Sequence, residues 1–229
     1  MSVVDINAMF SFFGCDEKPN RARCEKIVRL SYAAWHTAKS FDNLKRVFHA
    51  VALGKMYAPF YSELLSSPDA EDNPDMHRFT DKFAELQMLG FLTDNSQFEE
   101  SSSEQIQKAY ITGYMPVKLA EFVCGMVNRR PDMIAYVRRV HNAPIPPEFS
   151  RERTMLGVTF EGDSLRPYTS MNLQASPHVD ILGWCPQFND IILEAQLLYV
   201  SLINVNYNAQ IGTLLDFTLD TLKEFNKTG

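Results

Sequence analysis

Apolar residues along most of this chain recur three and four positions apart, the spacing of one helix face. In residues 20–39 that face is Cys24, Ile27, Val28, Leu30, Ala34, Trp35 and Ala38. Ser40 is a candidate cap for the next helix, which carries Phe41, Leu44, Val47, Phe48 and Val51. Gly54 and Pro59 should end it, because proline removes a donor and clashes one turn back. A further stretch is expected at residues 57–65. Residues 66–72 read as an acidic loop, and Asn73-Pro74 as a cap followed by proline at the first helical position. Behind it lie Met76, Phe79, Phe83, Leu86 and Leu89, with Gly90 as the stop.

Residues 93–103 read as a polar loop. Ser101-Ser102-Ser103-Glu104 fits a capping box, with Ile106, Tyr110 and Ile111 as the helix behind it. Pro116 opens a helix carrying Leu119, Phe122, Val123 and Met126; Pro131 opens another with Ile134, Val137 and Val140. The proline-rich run from His141 to Pro147 cannot be helical. Residues 154–186 show no clear period, with a short strand at Met155–Glu161 and a turn at Gly162-Asp163 as the only local signals. Helical spacing returns after Pro186 with Phe188, Ile191, Ile192, Ala195, Leu198, Tyr199, Leu202 and Ile203. Asn204, Asn206 and Asn208 mark a break before a last helix carrying Ile211, Leu214, Leu215, Thr218, Leu222 and Phe225.

The pattern therefore predicts a mainly α protein: a bundle-like core of about eight helices. Its expected parts are an apolar N-terminal arm at 1–19, a helical domain at 20–141, an irregular proline-containing segment at 142–186, and a C-terminal helical pair at 187–229. The arm matters because Val3, Val4, Ile6, Met9, Phe10, Phe12 and Phe13 crowd into it. Burial is worth roughly 1.5–3 kcal/mol for each such side chain, so these residues should pack on their own core or on a neighbouring copy.

Composition changes this picture little. The chain has 229 residues, 45% of them apolar, which suits one domain with a real core, or two small ones in close contact. Charge changes it more. The net is +4 over residues 1–60, −8 over 61–110, +3 over 111–153 and −5 over 154–229, for −6 in all. Segregated charge creates fields of opposite sign, which can steer a polyanion or a second copy to one face. The basic residues concentrate at Lys18, Arg21, Arg23, Lys26 and Arg29, at Lys45 and Arg46, at Arg129 and Arg130, at Arg138 and Arg139, and at Arg151 and Arg153. On a straight helix from Pro131, ~1.5 Å per residue puts the two arginine pairs about 12–14 Å apart. Lys45, Arg46, Arg129, Arg130, Arg138, Arg139, Arg151 and Arg153 are thus the candidate phosphate-tracking set.

Motifs for catalysis are absent. No G-x-G-x-x-G, P-loop, G-x-S-x-G or H-E-x-x-H occurs. Cys15, Cys24, Cys124 and Cys185 lack zinc spacing and read as free buried thiols of a reducing compartment. The N-terminus lacks the basic start of a signal peptide. The longest apolar run, at 191–205, is broken by Glu194, Gln196 and Asn204, short of the ~18 residues a membrane span needs. The expectation is a cytoplasmic or nuclear protein without cofactor.

Three function classes follow. The first is a non-enzymatic, self-assembling helical subunit whose partners are itself and single-stranded nucleic acid. By architecture alone it resembles viral nucleocapsid and filament coat subunits. The second is a helical protein–protein adaptor without nucleic acid, and the third an enzyme of an unfamiliar helical family. None calls for a metal at His36, His49, His77, His141 or His178. Metal analysis of untagged protein should accordingly find no stoichiometric zinc, iron or manganese; one equivalent of any of them would overturn this expectation.

Overall fold

The computed structural model describes residues 5–60, 78–101, 105–139, 155–161, 164–169, 178–207 and 209–228. At residues 100, 101, 105, 139, 155–161, 164–169, 178 and 179 it describes the backbone alone. The fold is a mixture of α and β, which corrects the expected helical bundle. Among the described residues are eight helices and eight strands. The helices are α1 (Ile6–Phe12), α2 (Arg21–Thr37), α3 (Phe41–Ala52), α4 (Thr80–Leu89), α5 (Val117–Val127), α6 (His178–Trp184), α7 (Phe188–Glu194) and α8 (Ile211–Thr228). The strands are β1 (Leu92–Gln97), β2 (Glu100–Ser101), β3 (Gln105–Gln107), β4 (Tyr110–Pro116), β5 (Met133–Arg139), β6 (Met155–Glu161), β7 (Ser164–Thr169) and β8 (Leu197–Asn204).

The central sheet runs β1-β4-β8-β5, every neighbour antiparallel. Strands β4 and β5 thus run the same way with β8 between them, and α5 makes the crossover. This is a split β–α–β unit. A second antiparallel sheet runs β2-β3-β6-β7. Ile111, Met115, Leu198, Val200, Leu202, Met133, Ala135 and Val137 share one face of the central sheet and belong to the main core. Helix α8 packs on α4 and α5; α4 also packs against β1, α5 against β4, β5 and β8, and α8 against β8. Two ion pairs, Lys82–Asp216 at 2.5 Å and Glu85–Lys223 at 2.9 Å, join α4 to α8.

Five helices read from spacing are found at α2, α3, α4, α5 and α8, and local caps or stops agree with the first three. Asn20 accepts from the Arg23 N–H at 3.1 Å to start α2, and Ser40 from the Asn43 N–H at 3.2 Å to start α3. Gly90 ends α4 at φ 103°, a left-handed conformation that glycine takes without strain. Two expected helices are instead strands, and a third keeps its first half as α7 and gives its second half to β8. The segment behind Ser101–Glu104 forms β3 and β4, and residues 102–104 lie outside the described residues. The segment after Pro131 is β5, and Leu198, Tyr199, Leu202 and Ile203 belong to β8. Short β-branched and aromatic runs satisfy both periods, and pairing then decides. Gln196 at φ 50° stops α7 and turns the chain into β8. The polar stretch 93–97 is part of β1 rather than a loop. Tyr57 to Phe60 are not helical. The strand at Met155–Glu161 is present. Residues 61–77, the proline run and Gly162-Asp163 lie outside the described residues.

A second correction concerns the cysteines. Cys15 and Cys24 are joined by a disulfide and are buried, while Cys124 and Cys185 are free and buried. The bond ties the segment after α1 to α2. Phe13 stacks on Tyr57 at 4.2 Å and meets Trp184 edge-on at 5.8 Å.

Gly113 is the tightest point of the central sheet. A Cβ there would lie 2.7 Å from both the Leu92 carbonyl carbon and the Thr93 Cα. Gly113→Ala should therefore lower stability by about 3 kcal/mol in urea denaturation. Gly125→Ala, on α5 with nothing within 4 Å, should raise it by about 0.8 kcal/mol. Equal effects of the two substitutions would contradict the close approach of β1.

Candidate functional site

The close approach at Gly113 has a chemical consequence. Thr93 pairs with Gly113 and Asn95 with Thr112, which leaves Asp94 as the extra residue of a bulge. The bulge delivers its carboxylate to the polar face of the sheet. There Asp94 Oδ1 accepts from Thr112 Oγ1 at 2.7 Å and from the Tyr199 hydroxyl at 3.1 Å. The Tyr199 hydroxyl also lies 2.9 Å from Thr112 Oγ1. Strand register explains the meeting: Thr112 pairs with Ser201, Tyr114 with Tyr199, and Tyr199 with Arg138. The Arg138 guanidinium lies over the Tyr199 ring, 4.8 Å from its centre. Tyr114 meets Tyr199 edge-on at 5.1 Å and Phe188 at 5.3 Å.

Asp94 is 1% exposed, and its Oδ2 is buried without a hydrogen-bond partner. Burial pushes its pKa up to about 7, and the bonds from Thr112 and Tyr199 only partly oppose that shift. Burial, then the neighbouring Asp94, raise the Tyr199 pKa well above its ordinary value, so the phenol stays a donor. Burial lowers the Arg138 pKa, against the attraction of Tyr199 and Asp94. The cluster can hold or release one proton near neutral pH. With Asp94 sealed from solvent it acts on the sheet's own stability.

The predicted basic set is dispersed. Lys45 pairs with Asp42 at 2.6 Å. Arg46 is exposed and lines an open groove with Ala34, Asn43 and Met56. Arg129 is exposed, with Nη1 3.8 Å from the Met126 sulfur. Arg130 grips Asp132 with two bonds, at 2.9 and 2.6 Å, and lies over Phe217. Arg138 sits in the polar face just described. Arg139 pairs through its backbone with Leu198. Because β5 is a strand rather than a helix, Arg130 and Arg138 are up to about 26 Å apart at ~3.3 Å per residue. The short helical spacing expected for them is lost. Arg151 and Arg153 lie outside the described residues.

The arm residues divide. Met9 and Phe10 are buried in the main core, and Ile6 and Phe13 pack against it. Phe12 points outward at 76% exposure. Val3 and Val4 lie outside the described residues. Nucleophiles gain no support: burial pushes the Cys124 thiol up to about 12 and Cys185 to about 11. Among the described residues no three His, Cys, Asp or Glu converge as a metal site requires. No helix among them is long and apolar enough to cross a membrane. Compared with known proteins, the chain matches no protein-family model and no curated protein sequence.

Sequence reasoning missed Asp94. Its neighbours Thr93, Asn95, Ser96 and Gln97 are all polar, so no alternation betrayed a strand.

The raised pKa makes a signed prediction. The folded state binds the Asp94 proton more tightly than the unfolded chain. Its stability contribution is full below about pH 4 and is lost as pH rises to about 7, by up to about 4 kcal/mol. Urea midpoints of wild type and Asp94→Asn measured across that window should diverge, the wild type losing more as pH rises. Parallel curves would exclude a raised Asp94 pKa.

Proposed function

We propose that this chain is a non-enzymatic assembly subunit that associates with copies of itself through its N-terminal helical face. The observation that carries the reading is Phe12, 76% exposed on a helix whose neighbouring residues Met9 and Phe10 are fixed in the core. Leu30, on the adjoining α2, is 55% exposed. Two large apolar groups exposed on packed neighbouring helices are available to another surface. The disulfide at Cys15–Cys24 holds the segment between them. That bond also removes the cysteine argument for a cytoplasmic or nuclear setting.

Single-stranded nucleic acid remains the second partner of this reading, with less to support it. Lys45 and Arg130 are held in local ion pairs, and Arg138 packs on Tyr199. The enzyme reading would need a reacting group in contact with a substrate, and Asp94 is enclosed.

Sedimentation over a wide concentration range tests the proposal. Wild type should shift to larger species as concentration rises. Phe12→Ser should weaken association about tenfold or more with an unchanged melting temperature, since the ring is not in the core. A wild type that stays monomeric throughout would leave the adaptor reading. A species whose 260 to 280 nm absorbance ratio marks bound nucleic acid would restore the coat-like one.

A further inference from the structure

We infer that the α2 face docks on the α4 face of a second copy, the helices side by side and parallel, with Arg23 opposite Asp81, Lys26 opposite Glu85 and Leu30 opposite Met88. The inference rests on the self-association proposed above and names a surface that includes Leu30.

Each strip presents two charges and one apolar group along two helical turns. On α2, Arg23, Lys26 and Leu30 are exposed at positions i, i+3 and i+7. On α4, Asp81, Glu85 and Met88 are exposed at i, i+4 and i+7, Met88 at 45%. Seven residues of helix span about 10.5 Å in both. A parallel alignment brings opposite charges together at one end and Leu30 onto Met88 at the other. The antiparallel alignment sets Arg23 on Met88 and Leu30 on Asp81, which buries charge against apolar surface.

Local pairing leaves these charges available. Arg23, Lys26 and Asp81 make no ion pair among the described residues. Glu85 pairs with Lys223, but both side chains are more than 40% exposed, and such pairs are worth little. Around the acidic strip, α8 adds exposed Asp220 and Glu224. Around the basic strip, Arg29 lies over Phe10 and adds positive charge. Lys82 and Lys223 beside the acidic strip and Glu25 beside the basic one are already held in ion pairs, and the strips themselves keep opposite sign, which steers one face toward the other. Because the faces are different, the contact is head-to-tail: each copy keeps one face free, and assembly closes a ring or grows a filament.

Charge exchange tests this directly. One variant carries Arg23→Glu and Lys26→Glu; the other carries Asp81→Lys and Glu85→Lys. Each alone should associate about a hundredfold more weakly than wild type, because both of its faces then share one sign. Mixing the two should restore association, seen as larger species in sedimentation. Added salt should weaken the wild-type assembly, since exposed pairs are screened. If wild type assembles but the mixture does not recover, the α2–α4 contact is wrong while self-association stands. If wild type never assembles, the earlier proposal fails and takes this one with it. Circular dichroism checks folding. If a double variant is unfolded, Lys26→Glu mixed with Glu85→Lys gives the same readout with half the charge change.

Discussion

The approach of β1 to Gly113 is the constraint on which the central sheet depends. With no side chain at that position, the backbone of Leu92 and Thr93 can pass close to β4. The register slips by one residue, and Asp94 becomes the extra one. A carboxylate then enters a buried sheet face, where Thr112 and Tyr199 must satisfy it. Tyr199 in turn supports Arg138 on the next strand. Four strands are tied by side chains across the same line that their backbones pair along. An unpartnered Asp94 Oδ2 is the residual cost, and burial of the carboxyl raises its pKa to about 7.

Outside that sheet, stability is more local. Asn20 and Ser40 cap α2 and α3, and Gly90 ends α4. Trp35 donates to the Tyr57 carbonyl at 3.0 Å, and Ser31 accepts from the Tyr57 N–H at 2.9 Å, which folds the chain after α3 back onto α2. Tyr57 then carries Phe13, so the arm is seated on a surface built by residues about forty positions later. The arm's inward residues are core, and its outward Phe12 is exposed. Burial thus sorts one apolar segment into a packed side and an exposed side.

The candidate sites differ in legibility for the same reason. The outward charges of α2 and α4 follow helical spacing, so a correct helix places them on a face. The basic set around Arg130 and Arg138 depended on a helix that is a strand, and its geometry failed with the assignment. Asp94 had no readable signal, since its position comes from a bulge opposite a glycine that is distant in sequence. A bulge is a relation between two strands and leaves no period in either.

By itself the sequence determined the helices with clear local signals: spacing plus a cap for α3, spacing plus a glycine stop for α4, spacing plus an opening proline for α5, and spacing alone for α2 and α8. These need only neighbours within a few residues, and local hydrogen bonds form whatever the rest of the chain does. The tertiary structure decided β4, β5 and β8, whose apolar runs fit helix and strand alike. Their backbone partners lie up to about ninety residues away, so only assembly of the sheet selects the extended form. It also decided the Cys15–Cys24 bond and the burial of Asp94, because both require two backbones to be brought within side-chain reach before the chemistry exists.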